Sequence, residues 1–339
     1  MPKIAPILDE KDRKILAALD DNARSSDSAI AKHVGVSKQV ANYRIQKLCE
    51  KGIISNFYTI LNAGKLGLYS YYVFLQFEKI NKEQEKNLLN QIKNLEYVGW
   101  LVSGMGRWDA VALIFADSIS NFDRFLNEII SLCGEHMHEY NFTTLVSAEH
   151  ISYKFLAGKK DVNNVKQTEK DLPLELDKND IAILEVLSQQ ARFSVVDIAK
   201  KAKLPIHVVT YRLKNMVKKR LIEGFKPKIN INKLGYQWHL LLLQFQKADE
   251  QQRKRFITFC ENHQKIYYIA HTIGCYNFML DIHVKDTEEF KDVLLELKEK
   301  FSDIIKIYES LIVFDEYKIS YFPKELLEVK INKKKGNDY

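Results

Sequence analysis

The chain has 339 residues, 46% of them apolar and 11% aromatic, which is enough for two to four compact units with real cores and excludes disorder over most of its length. Its net charge of +7 suits a nucleic-acid or anionic partner without establishing one. The opening MPKIAPILDEKDRK has no apolar signal core, LYSYYVFLQF and HLLLLQF are too short to span a bilayer, and Cys49, Cys133, Cys260 and Cys275 form no CxxC pair; a cytoplasmic protein with reduced thiols and no membrane partner is expected.

In chain order, Ile15, Leu16 and Leu19 recur at helical spacing over residues 9–20, and Ala29, Ile30 and Val34 mark a second helix. A third begins after Gly35 with Ser37 as its N-cap and stops at Gly52, placed as a C′ glycine. The short GVS turn between helices two and three fits a helix-turn-helix, and IISNFYTI behind it reads as the wing. Next come strand 69–77, helix 82–94, strands 98–103 and 110–116, helix 120–132 and strand 138–146, the βαββαβ order of a ferredoxin-like unit. Residues 157–173, AGKKDVNNVKQTEKDLP, are polar and patternless and read as a linker.

The chain then repeats itself at one constant offset of 168 residues. Leu8, Asp9 and Asp12 fall on Leu176, Asp177 and Asp180; Ala23-Arg24 falls on Ala191-Arg192; Tyr43-Arg44 on Tyr211-Arg212; Gly106 on Gly274; Ile151-Ser152-Tyr153 on Ile319-Ser320-Tyr321. A register held from residue 8 to residue 153 without insertion is a tandem duplication. The expected fold class is α+β: two copies of a winged helix-turn-helix followed by a βαββαβ ferredoxin-like domain. The boundaries fall at 1–62 and 63–156, the linker 157–173, 174–230 and 231–323, with a basic tail over 324–339 whose end, INKKKGNDY, is expected to fray.

The third helix divides its faces. Val40, Ala41, Ile45 and Leu48 form an apolar stripe for the core, flanked by Arg44. Lys38, Gln39, Asn42, Tyr43, Gln46 and Lys47 are left to face outward, where amides suit adenine edges and lysine suits guanine or phosphate. Ser37 starts a helix whose free N–H groups can hold a phosphate oxygen. Such a stripe alone is most often a solvated face, but here it occurs twice on the third helix of a trihelical unit. Residues 1–62 hold 10 Lys and Arg against 7 Asp and Glu, and residues 172–232 hold 12 against 6, so the basic charge sits in these units. In copy two Pro205 replaces Ser37, and the outward set becomes Ile206, His207, Thr210, Tyr211, Lys214 and Asn215, followed by Lys218, Lys219 and Arg220. Copy one is expected to be the better base reader and copy two more of a phosphate clamp.

The pattern L-D-x-x-D-x-x-I-L, A-R, I-A, S-x-x-V-x-x-x-R-I-x-x-L-x-x-x-G-I-I, carried here from Leu8 to Ile54 and echoed in copy two, resembles the Lrp/AsnC family of prokaryotic transcriptional regulators. The resemblance implies dimerisation through the βαββαβ domains, double-stranded DNA as partner, and an amino-acid effector near a Gly-x-x-Asp turn. That turn is Gly106 and Asp109 in copy one and Gly274 and Asn277 in copy two. Because Asn277 lacks the charge of Asp109, copy one is the expected host of an effector, while a plain β-turn at both glycines is the alternative. With two units in one chain, the expected assembly is an intrachain pseudo-dimer on an asymmetric operator, with further oligomerisation through the sheets left open.

No phosphate-binding glycine loop, GxSxG or HExxH occurs, so no enzymatic activity and no cofactor are expected. Cys133, His136 and His138 have a metal-like spacing but fall one ligand short of a closed zinc site and are unmatched in copy two, so no metal site is expected. The enzymatic alternative is siroheme decarboxylase, similar in layout; Tyr276-Asn277-Phe278 with His283 echoes one of its stretches, but LNAGKLGLY and INKLGYQW lack the paired histidines it implies. A third reading is an assembly module that has lost DNA affinity.

Overall fold

The computed structural model describes residues 8–157, 164–168 and 172–336. Much of the expected linker, 158–163 and 169–171, and the end of the expected tail, 337–339, lie outside the described residues.

Copy one opens with α1 (Glu10–Asp21), α2 (Asp27–Val34) and α3 (Lys38–Glu50). Asp9, Ser26 and Ser37 each cap the helix behind them by accepting a backbone N–H. Arg44 reaches back from α3 to Asp9 and Asp12, 2.7 Å from each, which accounts for the spaced aspartates of the motif. Copy two repeats this with α8 (Lys178–Gln189), α9 (Val195–Ala202) and α10 (Ile206–Lys218), where Arg212 holds Asp177 and Asp180. The sharp turn after α2 needs a left-handed residue, supplied by Gly35 at φ 73°. Its equivalent in copy two is Lys203 at φ 55°, and Gly52 is likewise replaced by Arg220 at φ 56°.

The wing strand β1 (Ile54–Leu61) is present, but it pairs antiparallel with β7 (Ile222–Ile229) of the other copy. Tyr58 stands opposite Lys226, its own equivalent, so a pseudo-twofold axis passes through this ribbon. Two arginines clasp the same junction. Arg24 donates to the carbonyls of Ala191 and Phe193, and Arg192 donates to those of Ala23 and Ser25.

Behind the first ribbon strand come α4 (Ala63–Leu66), β2 (Tyr69–Phe77), α5 (Lys82–Asn94), β3 (Val98–Gly106), β4 (Ala110–Ala116), α6 (Ile119–Cys133) and β5 (Met137–His150). In copy two the same order runs β8 (Gln237–Phe245), α11 (Glu250–Asn262), β9 (Ile266–Gly274), β10 (Phe278–Val284), α12 (Thr287–Phe301) and β11 (Ile305–Ile319). Each copy's last strand joins both sheets: β5 pairs with β2 and β9, β11 with β8 and β3. The eight strands therefore close into one barrel shared by the two copies. Leu88, Ile92, Phe125 and Ile129 pack the copy-one helices onto the barrel, and Phe256, Cys260, Val293 and Leu297 do so in copy two.

Two stretches depart from expectation. A short helix, α7 (Lys154–Ala157), leads into the linker, which contains a strand, β6 (Val165–Thr168), that adds to the edge of β5 from His150↔Val165 to Ser147↔Thr168. The basic tail, its end expected to fray, is a helix, α13 (Lys324–Gly336), which packs on α8 and is tied there by Lys324 to Glu185 at 2.8 Å. Both stretches lack an apolar period because the docking surface, not their own sequence, decides their structure.

Candidate nucleic-acid interface and an aromatic cavity

On α3, Ala41, Ile45 and Leu48 are buried as the apolar stripe requires. Val40, expected in the core, is 39% exposed. It sits a residue ahead of the stripe, and the preceding turn leaves it uncovered. Ser37, Lys38, Gln39, Asn42, Tyr43 and Gln46 are exposed together on the opposite face, with Lys47 at its margin. They are not all free: Asn42 donates to Asp27 at 2.7 Å, and Lys47 pairs with Glu50 at 2.7 Å beneath the Tyr43 ring. On α10, His207, Thr210, Tyr211, Lys214, Lys218 and Lys219 are exposed. Pro205 provides no side-chain cap, and Thr210 spends its hydroxyl on the Ile206 carbonyl at 2.8 Å. Copy one thus offers two exposed, uncommitted amides, Gln39 and Gln46, and copy two offers only the half-buried Asn215.

The effector turns have another occupation. Asp109 accepts the Phe77 N–H at 2.7 Å, and Asn277 accepts the Phe245 N–H at 2.6 Å. Burial raises the pKa of Asp109, and its carboxylate is not the free counter-charge expected of it. Gly106 lies opposite Leu311 and Gly274 opposite Thr143; a Cβ on either would meet a carbonyl of the facing strand, Ser310 at 2.5 Å or Phe142 at 2.8 Å. The two glycines thus join the copies, Asp109 and Asn277 bond within their own copy, and none of the four lines either cavity described below. Between the turns, Trp108 donates to Tyr276 at 2.8 Å, and Arg107 pairs with Glu309 at 2.7 Å. Of the metal-like trio, Cys133 is buried, and burial pushes its thiol up to about 12, away from the thiolate a metal needs.

A cavity of about 70 Å³ lies where the β1–β7 ribbon meets the barrel. Tyr58, Tyr72, Tyr153, Tyr267, Tyr268 and Tyr321 wall it, with Trp100 and Trp238. Tyr72 and Tyr268 share a hydrogen bond at 2.7 Å, and Tyr321 bonds His150 Nε2 at 3.1 Å. Lys228 pairs with Glu316 at 3.0 Å, and behind it Lys226 pairs with Asp20 at 3.0 Å, both of them fully buried. Burial pushes His150 and His283 down to about 3 and Asp281 up to about 8, so at neutral pH all three are uncharged. The buried atoms His150 Nδ1 and His283 Nδ1 have no hydrogen-bond partner among the described residues, while the Trp238 indole N–H engages the Asp281 carboxyl and opposes the rise of its pKa. Sequence reading missed this group because its members come from different strands. One signal was present: Met279, Asp281 and His283 alternate along β10, which puts two polar side chains on an inward face.

A winged helix-turn-helix DNA-binding family model matches residues 8–55 and again 176–223. The HTH-type transcriptional regulator Ptr1 of Methanocaldococcus jannaschii is 34% identical over 124 residues, 37% of this chain and 82% of that protein. The HTH-type transcriptional regulator LrpA of Pyrococcus horikoshii is 28% identical over 141 residues, 41% of this chain and 96% of its own length. Among solved structures, that of the siroheme decarboxylase NirDL superposes with a TM-score of 0.61 at 15% identity, covering 98% of this chain and all of that one. This corrects the expectation of no enzymatic activity: a fold that extends over both copies is also that of an enzyme, and the absence of sequence motifs does not exclude catalysis. Among the described residues no helix is long and apolar enough to cross a membrane.

Proposed function

The chain belongs to the Lrp/AsnC family of winged helix-turn-helix transcriptional regulators, with the family unit present twice, and from that premise we propose that it binds double-stranded DNA as an intrachain pseudo-dimer on an asymmetric operator. The observation that carries the proposal is the pair of outward polar faces, on α3 and α10, held in one molecule by the ribbon and the Arg24–Arg192 clasp. Tethering supplies the second unit at high effective concentration once the first is bound. Gln39 and Gln46 read base edges in one half-site, and Lys214, Lys218 and Lys219 hold phosphates in the other. Selection of bound sequences from a random duplex pool tests this. Two unlike half-sites support it, equal palindromic half-sites refute the division of labour, and no retained duplex with no salt-dependent affinity refutes DNA binding.

A second reading has its own observation, the whole-chain likeness to NirDL, of which another structure was solved in co-complex with an iron-uroporphyrin III analogue. Tyrosines and neutral histidines are suitable company for a macrocycle, but a cavity of about 70 Å³ admits one only if the ribbon parts from the barrel. Titration with the iron-uroporphyrin III analogue decides: a shifted absorbance spectrum at equimolar ratio supports this reading, and an unchanged spectrum removes it.

A further inference from the structure

Among the described residues the duplication leaves two related cavities of very unequal size. The equivalent place in the other half is lined by Leu61, Ala63, Ser70, Tyr72, Leu113 and Phe115 and has shrunk to about 10 Å³. At the offset of 168 residues the first cavity has Ile229, Ile231, Trp238, Leu240, Asp281 and His283 in these positions. Its polar Asp281, His283 and Trp238 are thus replaced by a leucine, a phenylalanine and a serine. The smaller cavity is also closed from within. Strand β6 lays Gln167 into it, 7% exposed and donating to the Leu61 carbonyl at 3.1 Å. Val165 packs against Tyr58 and Ile60 beside Gly224, where any Cβ would meet the valine at 2.8 Å. The chain after β11 enters α13 instead, so no matching strand fills the first cavity.

The open cavity has definite chemistry. At about 70 Å³ it has room for about five waters, which is the space of a small ring. Its walls are aromatic faces suited to stacking. Two imidazole nitrogens, of His150 and His283, await partners, and leaving such atoms unpaired costs about 1–3 kcal/mol each; the Trp238 indole N–H is engaged with the Asp281 carboxyl. No cation is left for an anionic ligand, since Lys226 and Lys228 are both paired.

We propose that this cavity binds one neutral planar nitrogen heterocycle per chain, and that the chain's own strand β6 seals the second, apolar copy of the site. The ring stacks on the tyrosines while its edge exchanges hydrogen bonds with His150 and His283, beside the Trp238–Asp281 pair. This goes beyond DNA binding and is measured without DNA.

The test is calorimetric titration of the full chain with nicotinamide and adenine, with nicotinate as the charged match to nicotinamide. The expected result is saturable binding of a neutral ring at one site per chain, with nicotinate weaker by about tenfold or more. The variant Asp281→Leu with His283→Phe carries the residues the sealed copy already holds, and it is expected to lose the binding while keeping its circular dichroism. Gln167→Ala is expected to add a second, apolar site that takes benzene but not nicotinamide. The proposal is overturned if neither neutral ring saturates, if nicotinate binds as tightly as nicotinamide, or if the unaltered chain binds two. The nicotinamide–nicotinate comparison uses the unaltered protein and stands even where a variant fails to fold.

Discussion

Trp108 donates its indole N–H to the hydroxyl of Tyr276 at 2.8 Å, and the two residues occupy the same position in the two copies, 168 residues apart. A symmetric dimer with tryptophan here would place two indole N–H donors against each other with no acceptor between them. Divergence of the copies made the contact complementary. The Tyr276 hydroxyl in turn donates a hydrogen bond to Glu309, which also holds Arg107, so the bond belongs to a network across the interface. Tyr276→Phe strands the buried Trp108 N–H and is expected to cost about 1–3 kcal/mol. Trp108→Phe in the same background is expected to cost less than it does alone. Urea unfolding of the four proteins of this cycle measures the coupling, and additive costs refute it.

Lys203 adopts φ 55° where copy one has Gly35 at φ 73°. A side chain at a left-handed helix end is strained by about 1 kcal/mol relative to glycine. Lys203→Gly is therefore expected to stabilise copy two by up to about 1 kcal/mol, less the added freedom of glycine in the unfolded chain. A rise in the thermal midpoint checks this; a fall would mean that the lysine side chain makes a compensating contact.

Asp20 and Lys226 form an ion pair 3.0 Å long with both side chains buried, joining α1 of one copy to β7 of the other. Asp20 also accepts the Tyr153 N–H at 2.9 Å. Removing only the carboxylate, by Asp20→Ala, leaves a buried ammonium alone and is expected to cost about 3–5 kcal/mol. Adding Lys226→Met should recover most of that loss, which equilibrium unfolding of the single and double variants will show.

Much of this was legible in the sequence and some was not, for physical reasons. Caps, apolar periods and the offset fixed α1 to α3, their copies and both βαββαβ orders, since these signals lie within a few residues of the elements they mark. Strand β6 was read as linker because Val165, Lys166, Gln167 and Thr168 carry no period of their own; the open edge of β5 makes them a strand. The role of the effector turns was not legible because a glycine and an acid in a hairpin look the same whether the acid meets a ligand or, like Asp109, a backbone N–H. The cavity was out of reach because His150 and His283 lie on strands far apart in sequence.

Acid should weaken the protein through those histidines. His150 and His283 have pKa values of about 3 in the fold, lowered by burial, with Lys226 adding to the effect at His150 and His239 at His283. The unfolded chain titrates near 6.5. Between these values the unfolded state binds protons that the folded state refuses, so stability falls as pH falls from 6.5 towards 3. Asp281, raised to about 8, acts in the opposite sense: its folded form keeps a proton the unfolded form loses, so stability is lost as pH rises from 4 to 8. Replacing one histidine by phenylalanine is expected to flatten the acid slope by about 1 kcal/mol per pH unit. Asp281→Asn is expected to flatten the opposing one. Unfolding midpoints across pH 4 to 8 check both signs.

The difference between the two outward faces gives the sharpest functional expectation. Gln39 is exposed with its amide uncommitted, whereas Asn42 already donates to Asp27 and must release that bond to meet a base. In copy two His207 and Thr210 stand at these positions, and Thr210 is bonded within its own helix. Gln39→Ala is therefore expected to lower discrimination at one base position by about 1–3 kcal/mol. Asn42→Ala should do less, and His207→Ala or Thr210→Ala should leave specificity nearly unchanged. Lys218→Ala or Lys219→Ala should instead weaken all sequences alike and reduce the slope of affinity against salt by about one unit each. Binding to the selected operator and to its single-base variants at two salt concentrations separates the effects. Equal losses of specificity from Gln39→Ala and His207→Ala would show that both copies read bases.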